Sequence, residues 1–130
     1  MNKKLVFISM LIVLLALCFF SCDLPQISIT VTGIDSTYNG KYGYVGLTTR
    51  GTPVKAVAVS LPVPISSGQF TGDLLAEGAV PFTDTGTYHC TLIITSDSAG
   101  QVPVWTGAKL NLKITDPGTT VKFSQFTKVQ

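Results

Sequence analysis

The sequence is poor in charge, in histidine and in cysteine. Charged side chains make up 12 % of its 130 residues, about half the usual share. A single His, His89, and three Cys cannot complete a tetrahedral metal site once the cysteines are assigned as below. No Gly-rich loop follows a strand and opens a helix, so a phosphate cradle is not expected. No nucleophile elbow accompanies His89, which leaves an acyl-transfer triad without a frame. The acids Asp35, Asp73, Glu77, Asp84, Asp97 and Asp116 are scattered over turns rather than alternating as in a calcium loop. A basic excess is missing as well. Of nine Lys and Arg, Lys3 and Lys4 belong to an N-terminal leader, and the other seven balance seven Asp and Glu. Nucleic-acid binders and polybasic membrane-surface proteins carry clustered positive charge, so neither class fits. The expectation is a protein that is not an enzyme and holds no cofactor and no metal.

What is present begins with an export leader. Asn2, Lys3 and Lys4 precede an apolar run from Leu5 to Phe20, broken only by Ser9, and small residues follow. Those 16 residues would span roughly 24 Å as a helix, short of the roughly 20 residues that cross a bilayer core, and they read as a signal segment over residues 1–21. Phe19-Phe20-Ser21-Cys22 resembles the lipobox of bacterial lipoproteins, in which a small residue precedes a Cys that is acylated on sulfur. Phe19 stands where such motifs commonly have Leu, a departure that the looser lipoboxes of spirochaetes share. Cys18 is the competing position, but Leu17 before it is too large for the usual cleavage pocket. The resemblance implies lipidation of Cys22, a short tether over 22–26, and a place in the cell envelope at the outer membrane or the periplasmic face of the inner one. An uncleaved anchor is the other reading; it leaves the domain in the same compartment, because Lys3 and Lys4 hold the N-terminus inside. Cys18 is then lost with the leader and Cys22 carries lipid, so Cys90 has no disulfide partner.

Residues 27–130 read as one domain of strands and turns, rich in Thr, which occurs 17 times. Ile27, Ile29 and Val31 alternate with Ser28, Thr30 and Thr32, the period of a half-buried strand ending at Gly33. Asn39-Gly40 is the strongest turn signal. Strands are expected at Tyr42–Thr49, with Gly43 and Gly46 as bulge or close-packing positions, and at Val54–Leu61. Pro62 and Pro64 then confine the chain to a sheet edge. Ser66–Gly78 has a poor pattern, with Leu74–Glu77 as a candidate helical turn. Thr85–Ser96 is expected to be the longest strand, with Tyr88, Cys90, Leu92 and Ile94 inward and His89 outward. Asp97–Gly100 forms a hairpin loop. Two further strands, Val102–Trp105 and Lys109–Thr115, flank Gly107, and a last one covers Val121–Phe126. Seven or eight short strands imply an all-β, antiparallel β-sandwich, with a closed or partly open β-barrel as the alternative. The expected core is Ile27, Ile29, Val31, Val57, Val59, Tyr88, Leu92, Ile94, Leu110, Leu112, Ile114, Val121 and Phe123.

Two resemblances follow. The run Asp84-Thr85-Gly86-Thr87-Tyr88-His89-Cys90 looks like the tyrosine corner of immunoglobulin variable domains, although the earlier Cys and following Trp of those domains are absent. Ile29-Thr30-Val31-Thr32-Gly33-Ile34, Tyr38-Asn39-Gly40-Lys41-Tyr42 and Val121-Lys122-Phe123-Ser124-Gln125-Phe126-Thr127 are similar to segments of small lipoproteins of treponemes and related spirochaetes. That similarity implies export, lipidation and one all-β domain, and it supplies no established activity to carry over.

Two functions are therefore in contention. One is a non-catalytic interaction or adhesion module, anchored to membrane lipid through Cys22 and meeting a protein partner at the envelope or a host surface. The other is a small-ligand or glycan binder that stacks its ligand on exposed aromatic rings, for which Tyr38, Tyr42, Tyr44 and Trp105 are the candidates. Tyr42 and Tyr44 could instead simply cover the core. Nucleic acid is not expected as a partner.

Overall fold

Branched apolar side chains alternating with small polar ones dictate strands along most of this chain, because each such segment has one face for the core and one for water. The computed structural model describes residues 26–129. The leader and Cys22, with most of the tether, lie outside the described residues. In chain order the strands are β1 (Ser28–Thr32), β2 (Tyr42–Thr48), β3 (Ala56–Ser60), β4 (Val63–Pro64), β5 (Phe70–Ala76), β6 (Val80–Pro81), β7 (Gly86–Thr95), β8 (Pro103–Ile114), β9 (Gly118–Lys122) and β10 (Thr127–Lys128). Two single 3-10 turns, Ser36–Tyr38 and Phe123–Gln125, complete the described structure, and the all-β expectation holds.

Eight strands form one continuous path in the order β10-β8-β7-β2-β3-β5-β1-β9, with β4 against β2 and β6 against β5. Chain connectivity forces this sheet to curl. Only Thr115, Asp116 and Pro117 separate β8 from β9, and that link reaches at most roughly 14 Å. Laid flat, the six strand spacings between β8 and β9 would measure roughly 29 Å. The sheet bends into an open half-barrel instead. Its sharpest change of partner is at β5. The first half of this strand pairs with β1, Phe70 opposite Val31 and Gly72 opposite Ile29, while Leu74 and Leu75 pair with Ser60 and Val59 of β3. The pairing is antiparallel except between β1 and β9, which run parallel in register from Ser28↔Gly118 to Thr32↔Lys122. That pair corrects the expectation of a wholly antiparallel sheet. The short β8–β9 link brings the chain back across the open side, so β9 enters beside β1 in the same direction.

The chain crosses the open side a second time from β9 to β10, and here it fills the gap. Phe123 lies 4.5 Å from Trp105 of β8, measured between ring centroids, and 6.2 Å from Tyr38. Phe126 is buried three residues later. The interior combines these rings with Ile27, Ile29, Val31, Val45, Leu47, Phe70, Leu74, Leu92, Ile94, Ile114 and Val121. All members of this cluster fall between Ile27 and Phe126, so the described domain carries its own core.

Several expectations are corrected. Residues 70–76 form a strand and not a helical turn: Phe70, Gly72 and Leu74 face inward in alternation. Val102–Trp105 and Lys109–Thr115 belong to one 12-residue strand, β8, which is longer than β7. Gly107 does not break it. A Cβ there would collide with the indole of Trp105, so the glycine makes room for the ring. Gly43 likewise lies under the Phe70 ring, as close packing required, whereas Gly46 meets only the Ala58 carbonyl at 3.8 Å. Val59 is 46 % exposed and Leu110 59 % exposed, so neither belongs to the core. On β3 it is Ala58 and Ser60 that face inward. At Leu110 the cause is a bulge: Leu110 and Asn111 together face His89 alone, and Asn111 takes a left-handed φ of 57°. Val57, Tyr88 and Phe123 are half-buried against the core rather than inside it.

Candidate functional site

The four candidate aromatics separate into two groups. Tyr42 and Tyr44 alternate with Gly43 and Val45 on β2, which places the tyrosines on the outer face and the other two inside. Both are half-buried. Tyr44 packs beside Gly100 and reaches the Gly100 carbonyl through its hydroxyl at 3.4 Å. Trp105 pairs with Ile94 across the β7–β8 ladder and shares its inward direction, which leaves the indole 9 % exposed. Tyr38 and Trp105 both touch Phe123 and belong to the seam of the half-barrel. No flat platform unites the four. Phe123, the ring that joins two of them, was legible only as a core candidate, because its contacts depend on where the chain crosses the open side.

Cys22 lies outside the described residues. Cys90 is buried and unpaired among them, and burial pushes its thiol up to about 12. A thiol held that far from ionisation is a poor nucleophile at neutral pH. His89 points away from the core, and its Nδ1 accepts the backbone N–H of Asn111 at 3.2 Å. The imidazole thus serves the bulge, satisfying a donor that the displaced ladder leaves over. Tyr88 folds its ring over Gly86 and sets its edge against Phe82 at 5.9 Å, so aromatic packing fixes the turn that the sequence likened to a tyrosine corner.

The acids keep to their local turns. Asp35 Oδ1 accepts the Thr37 N–H at 3.0 Å, a bond that lowers its pKa. Asp97 accepts from the backbone N–H groups of Gln101 and Val102 at 2.8–3.0 Å, and these bonds hold its carboxyl below the usual carboxylate range. The described residues contain no group of three or more His, Cys, Asp and Glu placed to share a metal ion.

Three shallow grooves lie on the outer surface among the described residues. One of about 300 Å³ runs between β3 and β5, lined by Val57, Val59, Leu75, Ala76 and Glu77 among others. A second of about 240 Å³ continues from it past Leu75 to Leu61, Val63 and Asp73. A third of about 470 Å³ lies where β10 meets β8, between Lys109, Leu110, Gln125, Thr127 and Val129. None contains a candidate aromatic. Gln26, the last residue of the expected tether, donates from Nε2 to the Leu74 carbonyl at 3.2 Å and so begins the ordered domain against β5. Comparison with known protein families, with curated proteins and with solved structures finds no match for this chain.

Proposed function

We propose that this chain is an exported lipoprotein, held to the cell envelope through acylated Cys22, whose half-barrel is a non-catalytic interaction module. The observation that carries the reading is the junction Ser21-Cys22, which closes the apolar run from Leu5 to Phe20. Two features of the domain support a binding rather than a chemical role. His89 is engaged by the backbone of its own bulge, and Cys90 is buried away from any reagent. The outer membrane is the proposed site, and the resemblance to spirochaete lipoproteins belongs to the same reading. We take the curled sheet as a partly open barrel rather than a sandwich, on the strength of its unbroken pairing path.

Glycan binding on aromatic rings is the weaker reading. Trp105 is covered by Phe123, which leaves Tyr42 and Tyr44 as the rings that reach the outer face. The deciding experiment is metabolic labelling with an alkyne fatty acid, followed by detergent-free fractionation. The wild type should incorporate label and sediment with membranes, and Cys22→Ala should do neither. Label retained by Cys22→Ala would move the modification to Cys18 and overturn the assignment. Proteolysis of intact cells then separates surface from periplasmic display.

A further inference from the structure

The overall charge balance of the domain conceals a segregation. From Ala56 to Ala108 the chain has no Lys or Arg but contains Asp73, Glu77, Asp84 and Asp97. From Lys109 onward it has Lys109, Lys113, Lys122 and Lys128 against Asp116 alone. The β3–β5 region is therefore acidic through Asp73 and Glu77, and the margin formed by β8 and β10 is basic through Lys109, Lys113 and Lys128, while β9 with Lys122 lies beside β1 at the other end of the pairing path. Exposed apolar side chains divide along the same line. Val54, Val59, Leu61 and Val80 belong to the β3–β6 region, and Val102, Val104, Leu110 and Val129 to the β8–β10 margin.

Two residues of each set line a groove that also carries charge. On the β3–β5 face, Val59 and Leu61 border the two connected grooves, whose walls include Glu77 and Asp73. At the margin, Leu110 and Val129 border the third groove together with Lys109, and Lys128 stands on the adjoining β10. Exposed apolar area grouped in this way marks an interaction surface, and an acidic rim on one patch is complementary to a basic rim on the other. The two patches lie on different parts of one molecule, so their pairing joins unlike surfaces of successive copies rather than like surfaces of a two-fold dimer.

We propose that copies of this chain associate head to tail, the β8–β10 margin of one seated on the β3–β5 outer face of the next. The proposal is independent of the lipid anchor, and it is tested on the domain from Asp23 to Gln130, which contains the entire described core. Sedimentation equilibrium of the wild type, up to millimolar concentration, should show mass growing beyond a dimer and shrinking in high salt, as screening of the charged rims requires. Two variants separate the patches. Val59→Lys/Leu61→Lys disables the face, and Leu110→Ser/Val129→Ser disables the margin. All four positions are exposed, and unchanged circular dichroism and melting confirm the fold. Each variant alone should associate about tenfold more weakly or worse, as loss of an apolar anchor does. Mixed in equal amounts, they should form a one-to-one complex that grows no further, because each contributes one working patch and the two altered patches do not bind each other. A wild type that stays monomeric at every concentration overturns the proposal. So does a variant that still dimerises alone, which would reveal a two-fold interface, or a mixture that stays monomeric while the wild type associates.

Discussion

The hydroxyl of Ser60 on β3 takes the place of a strand partner for Val45 on β2. Its Oγ accepts the Val45 N–H at 2.9 Å and donates to the Val45 carbonyl at 3.5 Å. This is where β3 leaves β2, since the next pairs inward are Gly46↔Val59 and Leu47↔Ala58 and Ser60 itself opposes Leu74 of β5. A buried backbone amide at such a divergence has no ladder partner, and the side chain supplies one.

Ser60→Ala should therefore destabilise the domain by about 1–3 kcal/mol, the range for leaving a buried polar group unpaired. Gly72→Ala should also destabilise, because a Cβ at Gly72 would lie 2.6 Å from Ser60 Oγ. Urea denaturation midpoints of both variants check this, and a Ser60→Ala midpoint equal to wild type would show that water satisfies Val45.

Trp105 provides an intrinsic probe of the seam. Buried against Phe123, its emission should be blue-shifted and resist acrylamide quenching in the native protein. Phe123→Ala should shift the emission to the red and admit the quencher while the far-ultraviolet dichroism stays that of a β protein. Glycans that bind the domain should leave the emission unchanged, because the indole offers no open face for stacking; a titratable shift would return Trp105 to a ligand site.

Cys90 should be silent toward polar thiol reagents at pH 8, because burial raises its pKa to about 12. Full modification should require denaturant. Cys90→Ala should cost about 1 kcal/mol, typical of a small core truncation. Rapid labelling of the folded protein would place the inner face of β7 in solvent.

Asp97 ties the β7–β8 connection through N–H groups of Gln101 and Val102. Because its folded pKa is depressed, its contribution is present in full above the ordinary value of 3.8 and is lost as pH falls through the lower folded value. Melting temperatures between pH 2 and 5 should accordingly fall less steeply in Asp97→Asn than in the wild type. Parallel curves would remove Asp97 from the acid transition.

The strands that announced themselves did so by strict alternation. Ile27 to Val31 and Cys90 to Ile94 each put apolar residues at every second position, and both bury as read. β5 escaped because Gly72 occupies one of its inward positions, so Phe70-x-Gly-x-Leu74 does not look apolar until Ser60 is known to lie over the glycine. Val59 and Leu110 misled for opposite reasons. On β3 the larger valine side chains face out and Ala58 faces in, while on β8 a single extra residue at Leu110–Asn111 reverses the register. Of the candidate site, the outward direction of Tyr42 and Tyr44 follows from their alternation with Gly43 and Val45. The cover over Trp105 comes from Phe123, and no local pattern reveals that the chain returns across the open side.

The parallel pairing of β1 with β9 decides how the domain bears load. A pull applied between residues 26 and 129 draws the start of β1 and the end of β9 apart along the strand axis, and the five registered pairs from Ser28↔Gly118 to Thr32↔Lys122 then resist together in shear. β10, with two paired residues, peels away first and leaves that clamp intact. Single-molecule extension should show one minor early yield followed by one high-force rupture. Ser28→Pro, which removes the N–H that Ser28 donates to the Pro117 carbonyl at the start of this clamp, should lower the rupture force and leave the early yield in place.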